Sequence, residues 1–307
     1  MKLIHAPSEL PDGERKTCVA IGFFDGVHLG HQQIVRQTIA DARQHEATAL
    51  IITFDRHPNS VVAPDRVPPL IYSLPQKLRV LGSLGADLLW LIPFDQPFSQ
   101  RSAEQFVRDL ARDFNQLHSV CVGTNFQFGH KRAGNVELLR KLGAELNFSV
   151  HGMAAVSLAG RTVSSTRVRE RLLAGDLDAV SQMLGRAYSL AGTVVPGDRL
   201  GQKLGFPTAN LEVTGLAFPP HGVYAVHAKL DHQRHRAVLN IGVRPTLNNP
   251  VPQLRVEAHL LDFSGNLYGQ EIEIVFGDKL REEKKFDSLD ELQQQIGKDI
   301  DLARRSF

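Results

Sequence analysis

The chain is poor in cysteine, tryptophan and net charge, and each shortage excludes something. Two cysteines in 307 residues, Cys18 and Cys121, are too few for a secreted disulfide scaffold. Both lie in apolar runs, KTCVAIG and HSVCVGT, and are expected as buried thiols in a reducing compartment. No window reaches about 18 apolar residues, and the opening MKLIHAPSELPDGERK lacks an apolar stretch of about 7 to 15 residues after its basic residue. The sequence therefore reads as cytoplasmic, neither exported nor membrane-spanning. Thirty-five Lys and Arg against 33 Asp and Glu leave a charge of +2, too weak for a global polyanion-binding field. One Trp and four Tyr offer few platforms for stacking bases. The phosphate-binding pattern GxxxxGK followed by Ser or Thr is absent, as are CxxC and HExxH, so neither a P-loop lysine nor a common zinc site is present.

What is present is a two-part pattern of ordinary globular composition, 42% hydrophobic and 22% charged. The length suits two domains of roughly 150 residues. In the first 150 residues, short apolar runs (CVAIG, TALIITFD, DLLWLIPFD, VCVGTNF) alternate with segments of helical spacing such as HQQIVRQTIADARQH and AEQFVRDLARDF. This predicts an α/β domain with a doubly wound parallel sheet covered on both faces. Ligands of such a sheet bind outside the carboxyl ends of the strands. Helical spacing continues from about Thr162 to Arg186. From Tyr188 onward, runs of period two (SLAGTVV, GVYAVHAKL, RHRAVLNIG, QLRVEAHLLDF, QEIEIVFG) predict a small antiparallel β-barrel or sandwich. A C-terminal helix follows, capped by Ser288. The expected domains are 1–185 and 186–307.

The segment IGFFDGVHLGHQQIV leads from the first strand into the first long helix. Gly22, Gly26 and Gly30 permit close approach to a ligand, and a helix starting near His31 aims its positive end at the loop. His28 and His31, three apart, are expected on one face of a helical turn where both reach one phosphate; capping and a satisfied surface histidine are the plainer account. TFDRHP brings Asp55, Arg56 and His57 to the same sheet edge. VGTNFQFGHKRAGN brings Asn125, able to bond a base or ribose, and His130, Lys131 and Arg132, which either hold phosphate or are solvated charges. Ser164, Ser165 and Thr166 precede a helix bearing Arg167 and Arg169, a phosphate grip or a plain N-cap with surface arginines. A divalent ion held by phosphates and one or two oxygen ligands fits this donor set, and attack on the α-phosphate of a nucleotide is the chemistry it suits.

In the second half, Gly197, Gly201 and Gly205 alternate with Asp198, Arg199 and Lys203 in a loop that either wraps phosphates or merely turns within a barrel. Thr208 and Asn210 place oxygens on one face of the extended segment after it. Glu257 lies in an alternating run between Val256 and Ala258, placed to take a proton in a cleft or simply to face solvent.

The ordered set GFFDGVHLGH (22–31), TFDRHP (53–58), GTNFQFG (123–129) and SSTRVR (164–169) resembles the N-terminal half of the bacterial bifunctional riboflavin kinase/FAD synthetases, HLGH being the HxGH signature of that nucleotidyltransferase superfamily. GTVVPGDRLGQKLGFPTANL (192–211), NIGVRPT (240–246), VEAHLLDF (256–263) and LREEKKFDSLDEL (280–292) resemble its riboflavin kinase module. Leu247 departs from the aromatic that the family often carries after PT. The resemblance spans about Lys16 to Ile300. It implies a nucleotidyltransferase domain of HxGH type followed by a β-barrel kinase with a C-terminal helix. It implies that riboflavin is phosphorylated to FMN, and FMN adenylylated to FAD, with ATP and Mg²⁺. His28 and His31 would stabilise ATP phosphates, with Gly22, Phe23, Asp25, Gly26, Gly30, Ser164, Thr166 and Arg167 around the nucleotide. Asp55, His57, Asn125, Ser165 and Arg281 would contact flavin, and Asn125 also the metal. In the kinase, Gly197, Gly201, Lys203, Gly205 and Pro207 would hold ATP, Thr208 and Asn210 the metal, and Glu257 would be the general base. The partners implied are small-molecule substrates, with no nucleic acid and no membrane; weak or transient self-association stays open. Two alternatives remain at this point: retention of only one activity, or a nucleic-acid-binding or regulatory protein of related fold.

Overall fold

A computed structural model describes residues 1–10, 16–114, 116–231, 233–246 and 249–307, with the backbone alone for 244–246 and 249–253. Leu247, the departure noted above, lies outside the described residues. The chain divides into two compact units, Met1–Pro69 with Leu74–Ser165, and Leu70–Ser73 with Thr166–Phe307.

The first unit is built on six parallel strands, β1 (Lys2–Ile4), β2 (Thr17–Ile21), β3 (Thr48–Phe54), β4 (Leu88–Ile92), β5 (Leu117–Gly123) and β6 (Ser149–Met153), in the order β1-β4-β3-β2-β5-β6. Its helices are α1 (Leu29–Gln44), α2 (Asn59–Val62), α3 (Leu74–Gly82), α4 (Gln96–Ser99), α5 (Ala103–Asp113) and α6 (Val136–Leu146). Period-two alternation sends neighbouring residues of one strand to opposite cores. Val19 and Ile21 join Leu50, Ile52, Val120 and Val122 beneath α5 and α6, where Phe106, Val107, Leu110, Leu139 and Leu142 complete the cluster. Cys18 and Ala20 join Ala49, Ile51 and Cys121 on the other face, with Val35 and Ala42 of α1 and Leu81 of α3. Both thiols are buried and free. Strand order reverses between β2 and β5, the switch point where such sheets bind ligands. A short hairpin, β7 (Ser157–Leu158) with β8 (Arg161–Thr162), follows.

In the second unit, α7 (Ser165–Leu173, whose first residue belongs to the first unit) and α8 (Leu177–Leu184) precede the strands, and α8 ends on Gly185 in the left-handed conformation. Strands β9 (Ser189–Val195), β10 (Ala209–Glu212), β11 (Gly222–Leu230), β12 (Gln233–Thr246), β13 (Asn249–Leu260) and β14 (Glu271–Arg281) close an antiparallel barrel in the order β10-β13-β12-β11-β14-β9. The one-turn α9 (Leu200–Lys203) lies in the glycine-rich loop, and α10 (Leu289–Ser306) ends the chain. Ser288 caps α10, its hydroxyl accepting from the Glu291 amide at 3.2 Å. Among the described residues no helix is long and apolar enough to cross a membrane.

Two candidate active sites

In the first unit the loop after β2 is a compressed turn. Phe24 and Val27 have φ of 56° and 43° and Gly26 a φ of 74°, so three residues of a four-residue run are left-handed. For a β-branched residue such as Val27 this backbone is strained. Side chains fasten the loop by its carbonyls. Phe23 O accepts from Thr53 Oγ1 at 3.1 Å and from Lys77 Nζ at 3.2 Å, Asp25 O from Ser165 Oγ at 3.0 Å, and Val27 O from Gln32 Nε2 at 2.9 Å. Gly22 must be glycine, because a Cβ there would stand 2.7 Å from the buried Phe24 ring.

The helix expected near His31 begins at Leu29, and His28 is its N-cap. Thus His28 and His31 do not share a helical face: the His31 amide donates to His28 Nδ1 at 3.4 Å, and this folds the rings into a stack with centroids 3.6 Å apart and planes at 21°. His28 is buried, its ring lying over Gly30. Burial, then His28, then Lys77 hold the His31 imidazole well below its ordinary pKa, so it is neutral at pH 7. Its buried Nδ1 has no hydrogen-bond partner among the described residues.

Other expected residues gather at the same strand ends. Asp55 follows β3; burial pushes its carboxyl up, but Arg56 and the Phe94 amide outweigh burial and hold it below the usual range. The His57 ring stands edge-on to Phe23, centroids 5.0 Å apart, and its Nδ1 accepts from the Asn59 amide. Asn125 is exposed in the turn after β5, and Lys131 and Arg132 are exposed with positive φ. Ser164 is half-buried, and Ser165 is the first residue of α7. The exposed Thr166 and the half-buried Arg167 belong to the second unit.

On the outer face of the barrel a cavity of about 380 Å³ is lined by Asp198, Gly201, Thr208, Asn210, Asn240, Arg255, Glu257 and Arg281, with Leu292, Ile296 and Ile300 of α10 as an apolar wall. Strand register sets its polar floor, since Glu257 on β13 is the direct partner of Asn210 on β10 and of Asn240 on β12. Gly197 packs on the Asn210 amide, where any Cβ would overlap it, and a Cβ at Gly201 would meet Thr208 Oγ1 at 3.2 Å. Pro207 is held through its carbonyl, 2.8 Å from His259 Nδ1. Lys203 and Gly205 are exposed and, with Gly197 and Pro207, do not line the cavity. Arg281 lines it, but Nε and Nη2 lie 2.7–3.1 Å from the Asp299 carboxylate and Nη1 donates to Glu282 O.

Sequence reasoning passed over two residues. Lys77 has a 3% exposed position on α3, and burial outweighs Asp25 and Asp55 to bring its amine down to about 8. Its signal was its register, because 74, 77, 78 and 81 form one helical stripe on which a lysine is out of place. Arg255 shares the Glu257 face of β13 two residues away, and its Nη1 lies 2.8 Å from Asp198 and 3.7 Å from Glu257.

A doubly wound sheet with a histidine-tipped loop at its switch point, on one chain with a closed barrel whose outer face carries a carboxylate-floored cavity under α10, defines a two-centre enzyme. The FAD synthetase family matches residues 10–167 and the riboflavin kinase family residues 184–307. The bifunctional riboflavin kinase/FMN adenylyltransferase of Escherichia coli K12 is 37% identical over 309 residues, covering 100% of this chain and 98% of the relative. That of Pseudomonas fluorescens is 37% identical over 95% of this chain and 93% of its own. A crystal structure described as a macrolide-efflux protein from Streptococcus pneumoniae superposes with a TM-score of 0.81 at 27% identity over 98% of each chain. The chain belongs to the bifunctional riboflavin kinase/FMN adenylyltransferase family.

Proposed function

We propose that the barrel phosphorylates riboflavin to FMN with ATP, and that the parallel-sheet unit joins FMN to a second ATP to give FAD and pyrophosphate. The functional division is drawn at 1–185 and 186–307. In the barrel, Glu257 takes the proton of the ribityl 5′-hydroxyl as that oxygen attacks the γ-phosphate and ADP leaves. Thr208 and Asn210 offer neutral oxygens beside it, a set suited to a hard cation that keeps most of its ligands from phosphate and water. Mg²⁺, when bound, neutralises phosphate charge. Gly197, Gly201, Lys203, Gly205 and Pro207 shape the loop over ATP. The hydrocarbon stem of Arg281, with the wall of α10, faces the flavin.

In the first unit, an FMN phosphate oxygen attacks the α-phosphate and the bond to pyrophosphate breaks. His28, His31, the loop from Gly22 to Gly30 and Ser164 orient the nucleotide and offset charge on the leaving group. Asp55, His57, Asn125 and Ser165 serve the flavin side, and Asn125 adds an oxygen for the cation. The reaction setting is the cytoplasm. The observation that carries this reading is that one chain holds two separately built centres, the stacked His28–His31 pair and the Asn210–Glu257–Asn240 row, each within its own unit. Purified protein given riboflavin and MgATP should accumulate FMN first and FAD later, resolved by chromatography; FMN without FAD, or neither, would refute it.

A further inference from the structure

We propose that Lys77 is a positioning residue for FMN adenylylation, its buried ammonium clamping the strained loop that carries His28 and His31. This rests on the reading of the first unit as the adenylylating centre. Lys77 Nζ donates to two carbonyls from different elements, Phe23 of the loop at 3.2 Å and Phe54 at the end of β3 at 2.8 Å, and lies 4.3 Å from the centroid of the Phe23 ring. It therefore fastens the loop to the strand whose next residue is Asp55.

The loop needs such a fastening. Left-handed conformations at Phe24 and Val27 are strained and persist only where surroundings over-determine them. Burying an ammonium is itself unfavourable, and a methionine of similar shape would fill the space at less cost. The two carbonyls that the ammonium bonds offset that cost. The ionisable groups acting on Lys77 are Asp25 from the loop and Asp55 from the end of β3, both favouring its charge, and Lys77 in turn acts on His31 of α1. The ammonium thus also adds to burial and the His28 ring, the larger causes, in opposing protonation of His31. An amine brought down to about 8 loses its charge in mildly alkaline solution, and with it the charge-assisted part of both bonds and its pull on Asp25 and Asp55.

The test uses Lys77→Met and Lys77→Arg in the full chain, with FMN adenylylation and riboflavin phosphorylation both measured from about pH 6.5 to about pH 9.5. Lys77→Met should lower kcat for FAD formation on the order of 100-fold, with a smaller change in KM for ATP and phosphorylation within about twofold. Lys77→Arg, which keeps the charge, should retain several times more FAD formation than Lys77→Met. In the parent, FAD formation should decline above about pH 8 while phosphorylation does not, and the residual activity of Lys77→Met should lack that decline. Parental FAD formation in Lys77→Met, an Arg variant no better than Met, or equal loss of both reactions would overturn the proposal. Absence of FAD formation in the parent would instead sink the reading of the site itself.

Discussion

Arg281 and Asp299 form a forked ion pair, with Nη2 2.7 Å from Oδ2 and Nε 2.9 Å from Oδ1, and Gln295 Nε2 adds a third donor to the same carboxylate. The Asp299 side chain is only 5% exposed. The pair ties the end of β14 to the middle of α10, the helix that walls the barrel cavity.

Asp299→Ala should therefore act on stability and on flavin affinity together. It leaves a guanidinium partly buried without its partner, a loss expected at about 3 kcal/mol. The thermal midpoint of the barrel should fall and KM for riboflavin rise, with FMN adenylylation little changed. Unaltered melting and unaltered KM would show that α10 is held by its apolar contacts alone.

Replacing His28 by Ala should cut FAD formation by roughly 100- to 1,000-fold and leave riboflavin phosphorylation near the parental rate. Glu257→Gln should do the reverse, removing the proton acceptor of the kinase step without touching the other centre. Separate assays starting from riboflavin and from FMN distinguish the two.

Gly197→Ala places a methyl group on the Asn210 amide. Asn210 must swing out of line with Glu257, so kcat for phosphorylation should fall about 10- to 100-fold with little loss of folding. Parental kcat in this variant would show that Asn210 need not stay where the strand register puts it.

Lys77 gives the first unit an alkaline signature in stability opposite to the one expected in rate. Its amine titrates at about 8 in the folded chain against an ordinary 10.5, so above about 8 the unfolded chain holds a proton that the folded one has released. Stability should rise by about 1 kcal/mol between pH 7 and pH 9, read from urea midpoints, and the rise should vanish in Lys77→Met. As pH nears 9, where a free thiol ionises, the Cys18 and Cys121 thiols, both raised by burial, begin to act with the opposite sign, so the Lys77 contribution is read as the difference between the parent and Lys77→Met.

The four central strands β2–β5 were legible because each is a run of apolar residues buried on both faces. The edge strands were not: β1 has three residues, too few to show a period, and β6, SVHGM, is half-exposed and carries a histidine and a glycine. Strand β10 was legible only as an extended segment carrying Thr208 and Asn210, and its place in the barrel between β9 and β13 was not. The His28–His31 pairing was legible but its geometry was not, since spacing of three suggests a shared helical face and the chain instead uses His28 as the cap. Arg281 was named only as a flavin contact that the resemblance implies, and its commitment to Asp299 was not legible, since it depends on a residue 18 positions further on. Lys77 was obscured because a lysine in an amphipathic helix is ordinarily a surface residue.

Both thiols of the chain sit at the centre of the first unit, in the adjacent strands β2 and β5, and burial raises the pKa of each. The barrel has none. A thiol-labelling reagent should therefore react when the parallel sheet opens, so the molecule carries its own reporter for local unfolding of that half.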